Sequence, residues 1–254
     1  MCTLAVYRGV SSAFPLIVAA NRDEFLGRPA TPPAPLATDP AIVAGLDLQA
    51  GGTWLGCRTD GSARIVGILN RRPSADHAAS GPGELSRGSL CMETLQAASV
   101  DELRSLPPQQ ARRYGGFSLF VADLAQAFVI DNGEGGVRVT ELGPGLSVLT
   151  NLDVNDPRCP RLCSATQKFS ELLPLVEKAQ SCGLLVPALA RVLADHEGSV
   201  QAEGGAGSVF GRICVHAGDY GTRSSSMIFV GGDGSVRYFH AEGHPCKVPF
   251  AAVH

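Results

Sequence analysis

Met1-Cys2-Thr3-Leu4-Ala5-Val6-Tyr7-Arg8 opens the chain, and Leu16-Ile17-Val18-Ala19-Ala20 follows a polar turn at residues 9–12 and ends in Asn21-Arg22-Asp23-Glu24. Two short apolar runs joined by turn residues predict a strand hairpin at the very start of the chain. Its position bears on chemistry as well as fold. Removal of Met1, which cells commonly carry out ahead of a small residue, would leave Cys2 with a thiol and a free α-amine on one residue. An α-amine titrates at about 7.7–8.0, so it can take the thiol's proton near neutral pH without a separate histidine. The alternative is a small buried residue that begins a strand, which composition alone favours.

Outward from this hairpin, residues 21–35 read as a loop and 42–44 as a short strand. Residues 53–58 and 63–69 form a second hairpin across Asp60-Gly61. Between 85 and 113 the apolar spacing becomes helical, with Leu90, Leu95, Leu103 and Leu106 on inward faces until Pro107-Pro108 stops the run, and two helices are expected there. Strands return at 118–122, 127–130, 137–141 and 146–149, and helices at 165–180 and 187–196. A last hairpin, 225–230 with 236–240, closes over Gly231-Gly232-Asp233-Gly234. Antiparallel hairpins with helices gathered between them predict an α+β fold. The expected form is a four-layer αββα sandwich of two mainly antiparallel sheets covered by helices.

No charge-rich or Ser/Gly-rich linker divides the 254 residues, and the Pro-rich 28–40 and Gly-rich 203–211 stretches are short enough for surface loops; one domain over 1–254 is expected. A net charge of −3 gives no broad electrostatic case for nucleic acid or an anionic membrane. The most apolar stretches, 14–20 and 117–130, are too short or are interrupted by Asp123 and Gln126, so no membrane-spanning helix is expected. Residues 1–25 lack the order of a secretory signal, which makes the cytoplasm the expected compartment. Eight cysteines without framework spacing or a paired Cys-x-x-Cys unit are expected to be reduced, and most to be small buried hydrophobes. Cys214/His216 and His244/Cys246 are close pairs, but neither pair alone makes a tetrahedral set, so no metal site is expected.

Several polar clusters stand out. Asn21-Arg22-Asp23-Glu24 reads as a strand-end cluster outside the core, where an Arg favours thiolate and a carboxylate can hold an α-amine; the alternative is an ordinary turn with a surface ion pair. Gly51-Gly52-Thr53-Trp54-Leu55-Gly56 holds the only Trp, read equally as site wall or core. Asn70 in Leu69-Asn70-Arg71-Arg72, Asn151 after Thr150, and Arg223 in Gly221-Thr222-Arg223-Ser224 each follow a strand and suit polarising a carbonyl, although each residue type is common in turns.

Taken together, Met1-Cys2-Thr3, Asn21-Arg22-Asp23-Glu24, Gly51-Gly52-Thr53-Trp54, Asn70-Arg71, Thr150-Asn151 and Gly221-Thr222-Arg223-Ser224 resemble, in order and over nearly the whole chain, the NRDE family, also called the transport and Golgi organisation protein 2 family. The resemblance implies the fold of N-terminal nucleophile (Ntn) hydrolases. More distantly it implies likeness to the cysteine subgroup that includes penicillin V acylase and bile salt hydrolase, which cleave non-peptide C–N amide bonds. It implies Cys2 as nucleophile, Arg22 and Asp23 as setting its ionisation, Asn70 and Asn151 as holding the oxyanion, and Arg223 as support, with Asn21, Glu24, Trp54 and Arg71 contacting substrate. Arg and Asp are adjacent here whereas the acylase pattern separates them, so Glu24 is an alternative to Asp23. The family is also associated with haem mobilisation and with acyl-coenzyme A and lipid metabolism. Cys159-Pro160 resembles a haem-regulatory dipeptide, with His216, His240 or His244 as axial ligands.

Two functions follow as expectations. One is a cysteine amidohydrolase or acyltransferase acting on a small acyl amide or thioester, with no cofactor required. The other is a carrier that uses the same pocket for haem as cargo, or for an acyl-CoA-like ligand. A scaffold with no ligand would leave the clustered polar residues without a purpose.

Overall fold

Alternating apolar side chains and glycine-marked turns make the strands of this chain, and the computed structural model describes residues 2–71, 84–133, 136–197 and 211–253. Met1, Arg72 and residues 203–210 of the Gly-rich stretch lie outside the described residues. The chain forms two compact units, Met1–Arg28 with Pro144–His254, and Pro29–Gly143. The first is built from both ends of the sequence, so its borders fall at two places where composition does not change.

In chain order the strands are β1 (Thr3–Arg8), β2 (Leu16–Phe25), β3 (Ala34–Thr38), β4 (Ala41–Ala44), β5 (Leu55–Arg58), β6 (Ile65–Asn70), β7 (Phe117–Ala122), β8 (Ala127–Asp131), β9 (Arg138–Glu141), β10 (Gly145–Leu149), β11 (His216–Ala217), β12 (Tyr220–Val230), β13 (Val236–Glu242) and β14 (Ala251–Ala252). The α-helices are α1 (Arg87–Gln96), α2 (Pro108–Ala111), α3 (Pro160–Ser170), α4 (Leu173–Lys178) and α5 (Cys182–Leu193). The sheet of the first unit runs β10-β1-β2-β12-β13-β14, with β11 paired to β12; that of the second runs β3 to β9 in sequence order. Every pairing between these strands is antiparallel. The expected α+β class with two antiparallel sheets is therefore what forms.

Each sheet buries one face under helices. In the first unit Ala5, Tyr7, Ile17, Ala19, Val148, Met227 and Phe229 meet Leu162, Ala165 and Phe169 of α3 and Leu185, Leu189 and Leu193 of α5. In the second, Leu90, Cys91 and Leu95 of α1 pack with Val66, Ile68, Leu119, Val121 and Phe128. Period-two alternation in the strands and three-to-four spacing in the helices align these apolar stripes.

Several boundaries differ from the sequence reading. β2 continues through Asn21-Arg22-Asp23-Glu24 to Phe25, and Asn21, Arg22 and Asp23 are buried. That corrects the expectation of a loop outside the core: these polar groups stay in the strand because the fold supplies buried partners. β3 falls within sequence that reads as loop. It is an edge strand, largely exposed, where Pro35 costs no ladder bond in the middle of a sheet. Pro108 starts α2 instead of ending a helix, and a 3₁₀ turn at Glu102–Ser105 precedes it. The expected helix 165–180 is two helices, α3 beginning at Pro160 and α4 carrying a Pro in its first turn. α5 begins at Cys182 and contains Pro187.

Candidate functional site

The site is built on the first hairpin. Thr3 pairs with Asn21, so continuing the register sets Cys2 opposite Arg22, and Arg22 in turn pairs with Ser224 of β12. Alternation then divides the residues. Thr3, Asn21, Asp23 and Ser225 face the helices, while Cys2, Arg22 and Ser224 lie on the opposite face.

Two contacts locate Cys2. Its backbone N–H donates to Oδ1 of Asn151 at 3.1 Å, and its Sγ lies 4.0 Å from the backbone oxygen of Asp23. Asn151 reaches it because β10 pairs with β1 and ends two residues earlier. Burial pushes the Cys2 thiol above its ordinary pKa; the Asp23 charge adds to this and the Arg22 charge opposes it. A thiol whose pKa is raised attacks a carbonyl only with a base to take its proton.

Asp23 is held from all sides. Its Oδ2 accepts from Nη2 of Arg161 at 2.6 Å, its Oδ1 accepts from Thr222 Oγ1 at 2.7 Å, and its backbone oxygen accepts from Tyr220 Oη at 3.2 Å. The Asp23 side chain is fully buried and that of Arg161 is 3% exposed. Arg161 also donates to the Ile213 carbonyl at 2.9 Å. The sequence reading missed Arg161. Its signal was spacing: Arg161, Ala165 and Phe169 are four apart on the buried stripe of α3, and a charge on such a stripe requires a partner.

Asn21, expected to touch substrate, spends its amide inside the fold. Nδ2 donates to the carbonyls of Leu193 and Ile213, both at 2.9 Å, and Oδ1 accepts from Ser225 Oγ at 2.6 Å. These bonds tie β2 to the end of α5 and to β12. Glu24 lies at the strand end, with Oε1 accepting from the Phe25 N–H and Oε2 at 3.6 Å from Arg28. Arg223 is the extra residue of a β-bulge between β2 and β12; its Nε donates to the Arg28 carbonyl at 3.2 Å and its guanidinium pairs with Glu242. It ties the turn after β2 to the end of β13.

The family model described as Transport and Golgi organisation 2 matches residues 1–244. The chain belongs to this family. It is 32% identical over 249 residues to the human Transport and Golgi organization protein 2 homolog, covering 89% of this chain and 86% of that protein. The Bos taurus homolog is also 32% identical, over 247 residues and the same shares. Among solved structures, a single-substitution variant of conjugated bile acid hydrolase from Clostridium perfringens superposes with a TM-score of 0.56 at 10% identity, over 99% of this chain and 92% of that one. This likeness shows the fold, that of an Ntn hydrolase.

For this Transport and Golgi organisation 2 family member, the first unit brings Cys2, Arg22, Asp23 and Asn151 into one neighbourhood, with Arg223 at the bulge. Trp54, Asn70 and Arg71 belong to the second unit. Trp54 precedes β5 and accepts through its carbonyl from the Ile68 N–H at 2.8 Å, Asn70 ends β6 with an exposed side chain, and Arg71 lies 3.9 Å from Asp131. Of the glycines before Trp54, Gly52 has a packing cause: at φ +77° it lies so close to Gly88 at the start of α1 that a Cβ would sit 2.1 Å from its backbone.

The residues named for haem lie in the first unit. Cys159 precedes α3 with Sγ 3.8 Å from Thr150 Oγ1. The two ring nitrogens of His240 lie 3.0 Å from Ser226 Oγ and 3.0 Å from Glu242 Oε2. None of the eight cysteines is in a disulfide, and no helix among the described residues is long and apolar enough to cross a membrane.

Proposed function

We propose that this protein is a cysteine amidohydrolase or acyltransferase of the Ntn type, acting on a non-peptide C–N amide or an acyl thioester, with Cys2 as nucleophile after removal of Met1. One observation carries the reading: Asn151 Oδ1 accepts from the nitrogen that becomes the α-amine, while the thiol of the same residue lies against the Asp23 carbonyl. Asn151 thus orients the prospective base. The amine takes the thiol proton as sulfur attacks the carbonyl carbon, forming an acyl-enzyme. The same amine returns the proton to the leaving nitrogen, or the thiolate of a thioester leaves. Water or another acceptor then releases the acyl group. The developing oxyanion is assigned to the amide donor of Asn151. Arg22, paired across the sheet with Ser224, opposes the burial that raises the thiol pKa, and Asp23 holds the strand end through Arg161.

The test has two parts. Intact mass of the protein from its native host shows loss of Met1, and retention of Met1 refutes the mechanism. Against a panel of acyl amides and thioesters, Cys2→Ala lowers turnover by about 10³-fold or more with circular dichroism unchanged. Turnover equal to the parent's sinks the assignment.

A further inference from the structure

Outside this neighbourhood, four potential metal ligands from three chain segments converge. His196 follows the end of α5, Cys214 and His216 lie two residues apart at β11, and Cys246 lies in the turn after β13. Their ligating atoms all lie within 4.8 Å of one another. Sequence pairs that are each too few for a metal site are combined by the fold into a set of two thiols and two imidazoles. His196 takes the place that spacing would have given His244, whose ring instead packs on His216 with centroids 3.9 Å apart.

The separations carry the argument. With Zn–S of about 2.3 Å and Zn–N of about 2.0–2.1 Å, a tetrahedral ion sets sulfurs about 3.8 Å apart and sulfur from nitrogen about 3.6 Å apart. Here Cys214 Sγ and Cys246 Sγ are 3.9 Å apart, Cys214 Sγ and His216 Nε2 3.7 Å, and His216 Nε2 and Cys246 Sγ 3.3 Å. Nδ1 of His196 lies 3.2 Å from the Cys214 carbonyl, which can only accept, so Nδ1 donates there and Nε2 is the ring nitrogen left for an ion. A ligating histidine usually donates its other ring N–H in this way. The Cys246 turn is fixed by Lys247 and Val248 N–H groups donating to the His244 carbonyl at 2.9 and 3.0 Å. Cys214 is buried while His196 and Cys246 are exposed, which gives an ion a way in.

The geometry points to a structural Zn²⁺ site formed by His196, Cys214, His216 and Cys246. Two thiolates and two neutral imidazoles suit zinc, and four protein ligands fill its tetrahedron, which marks a structural and not a catalytic ion. Binding converts two thiols to thiolates and releases two protons to solvent, leaving the site electrically neutral. The ion pins the segment that orients Asp23. Ile213, next to Cys214, accepts from Asn21 and Arg161, and the Val215 N–H on its other side donates to Thr222 Oγ1 at 2.9 Å, the hydroxyl that donates to Asp23. This inference does not depend on whether Cys2 turns over a substrate.

The experiment is metal analysis of the full chain, as purified without chelator and after reconstitution with Zn²⁺ and gel filtration. About one zinc per chain is expected, falling to trace in Cys246→Ser and in His196→Ala, both exposed positions, with circular dichroism confirming that each variant folds. Co²⁺ in place of zinc gives a thiolate-to-metal charge-transfer band that Cys246→Ser diminishes and Cys163→Ser, an exposed thiol outside the cluster, leaves in place. Trace zinc in the reconstituted parent overturns the site. So does undiminished binding in folded Cys246→Ser, or a Cys214–Cys246 disulfide in protein kept under reductant.

Discussion

Arg161→Met is the substitution that most directly tests how the strand end at Asp23 is held. The pair is 2.6 Å apart with side chains 3% and 0% exposed, so removing the guanidinium takes its ion pair from a carboxylate in the interior, to which the Thr222 hydroxyl still donates. Two unit charges about 4 Å apart at an effective dielectric of about 20 interact by about 4 kcal/mol, and breaking one side of a buried pair costs about 3–5 kcal/mol. The two routes agree. For a chain of this length that loss lowers the melting temperature by about 6–20 °C. The double variant Asp23→Leu/Arg161→Met removes both charges; the Ile213 carbonyl keeps the Asn21 donor and the Thr222 hydroxyl loses its acceptor, so the variant is expected to lose no more than about 2 kcal/mol. Urea unfolding of the parent, both single variants and the double variant closes the cycle, with a coupling of at least about 2 kcal/mol expected. A loss below about 1 kcal/mol in Arg161→Met, or additive single losses, would refute the reasoning and make the pair equivalent to a surface ion pair.

Two further outcomes follow from local geometry. Gly51 and Gly52 have nearly equal φ, +71° and +77°, but a Cβ meets nothing within 4 Å at Gly51 and the Gly88 backbone at Gly52. Gly51→Ala is therefore expected to cost about 1–2 kcal/mol and Gly52→Ala about 2–5 kcal/mol, and equal urea midpoints for the two would contradict the packing account. Hydrogen bonds from Arg58 and Ser62 hold the Asp60 carboxyl well below the usual carboxylate range. Its folded pKa is depressed, so its contribution is present above the unfolded value of about 3.9 and is lost as pH falls through the folded one. Parent stability should therefore fall toward that of Asp60→Asn as pH drops from about 5 to 2, and a constant difference across the range would exclude the effect.

The hairpins were legible because their information is local. Asp60-Gly61 and the glycine-rich turn at 231–234 join runs whose alternation sets each strand's faces, and β5 with β6 and β12 with β13 form there. The ordered motifs at residues 1–3, 21–24, 51–54, 70–71, 150–151 and 221–224 were enough for the family and, through it, the fold, whereas the contact of Cys2 with Asn151, two register steps beyond the Leu4–Leu149 pair, needed β10 to lie beside β1. The meaning of the polar run after Ala20 was not legible. A residue-by-residue reading makes four polar groups in a row a turn; burial makes them a strand once Leu193, Ile213, Ser225 and Arg161 arrive to satisfy them.

By itself, then, the sequence determined most of the strands, the turn chemistry and the candidate nucleophile at residue 2, all of which depend on neighbours a few positions away. Only the tertiary structure decided the partners. Asp23 meets Arg161 across 138 positions, and His196 joins Cys214, His216 and Cys246 from three segments. Such encounters depend on which strand lies beside which and on the register between them. Spacing along the chain carries no measure of distance between segments that return to one sheet from opposite ends of the sequence.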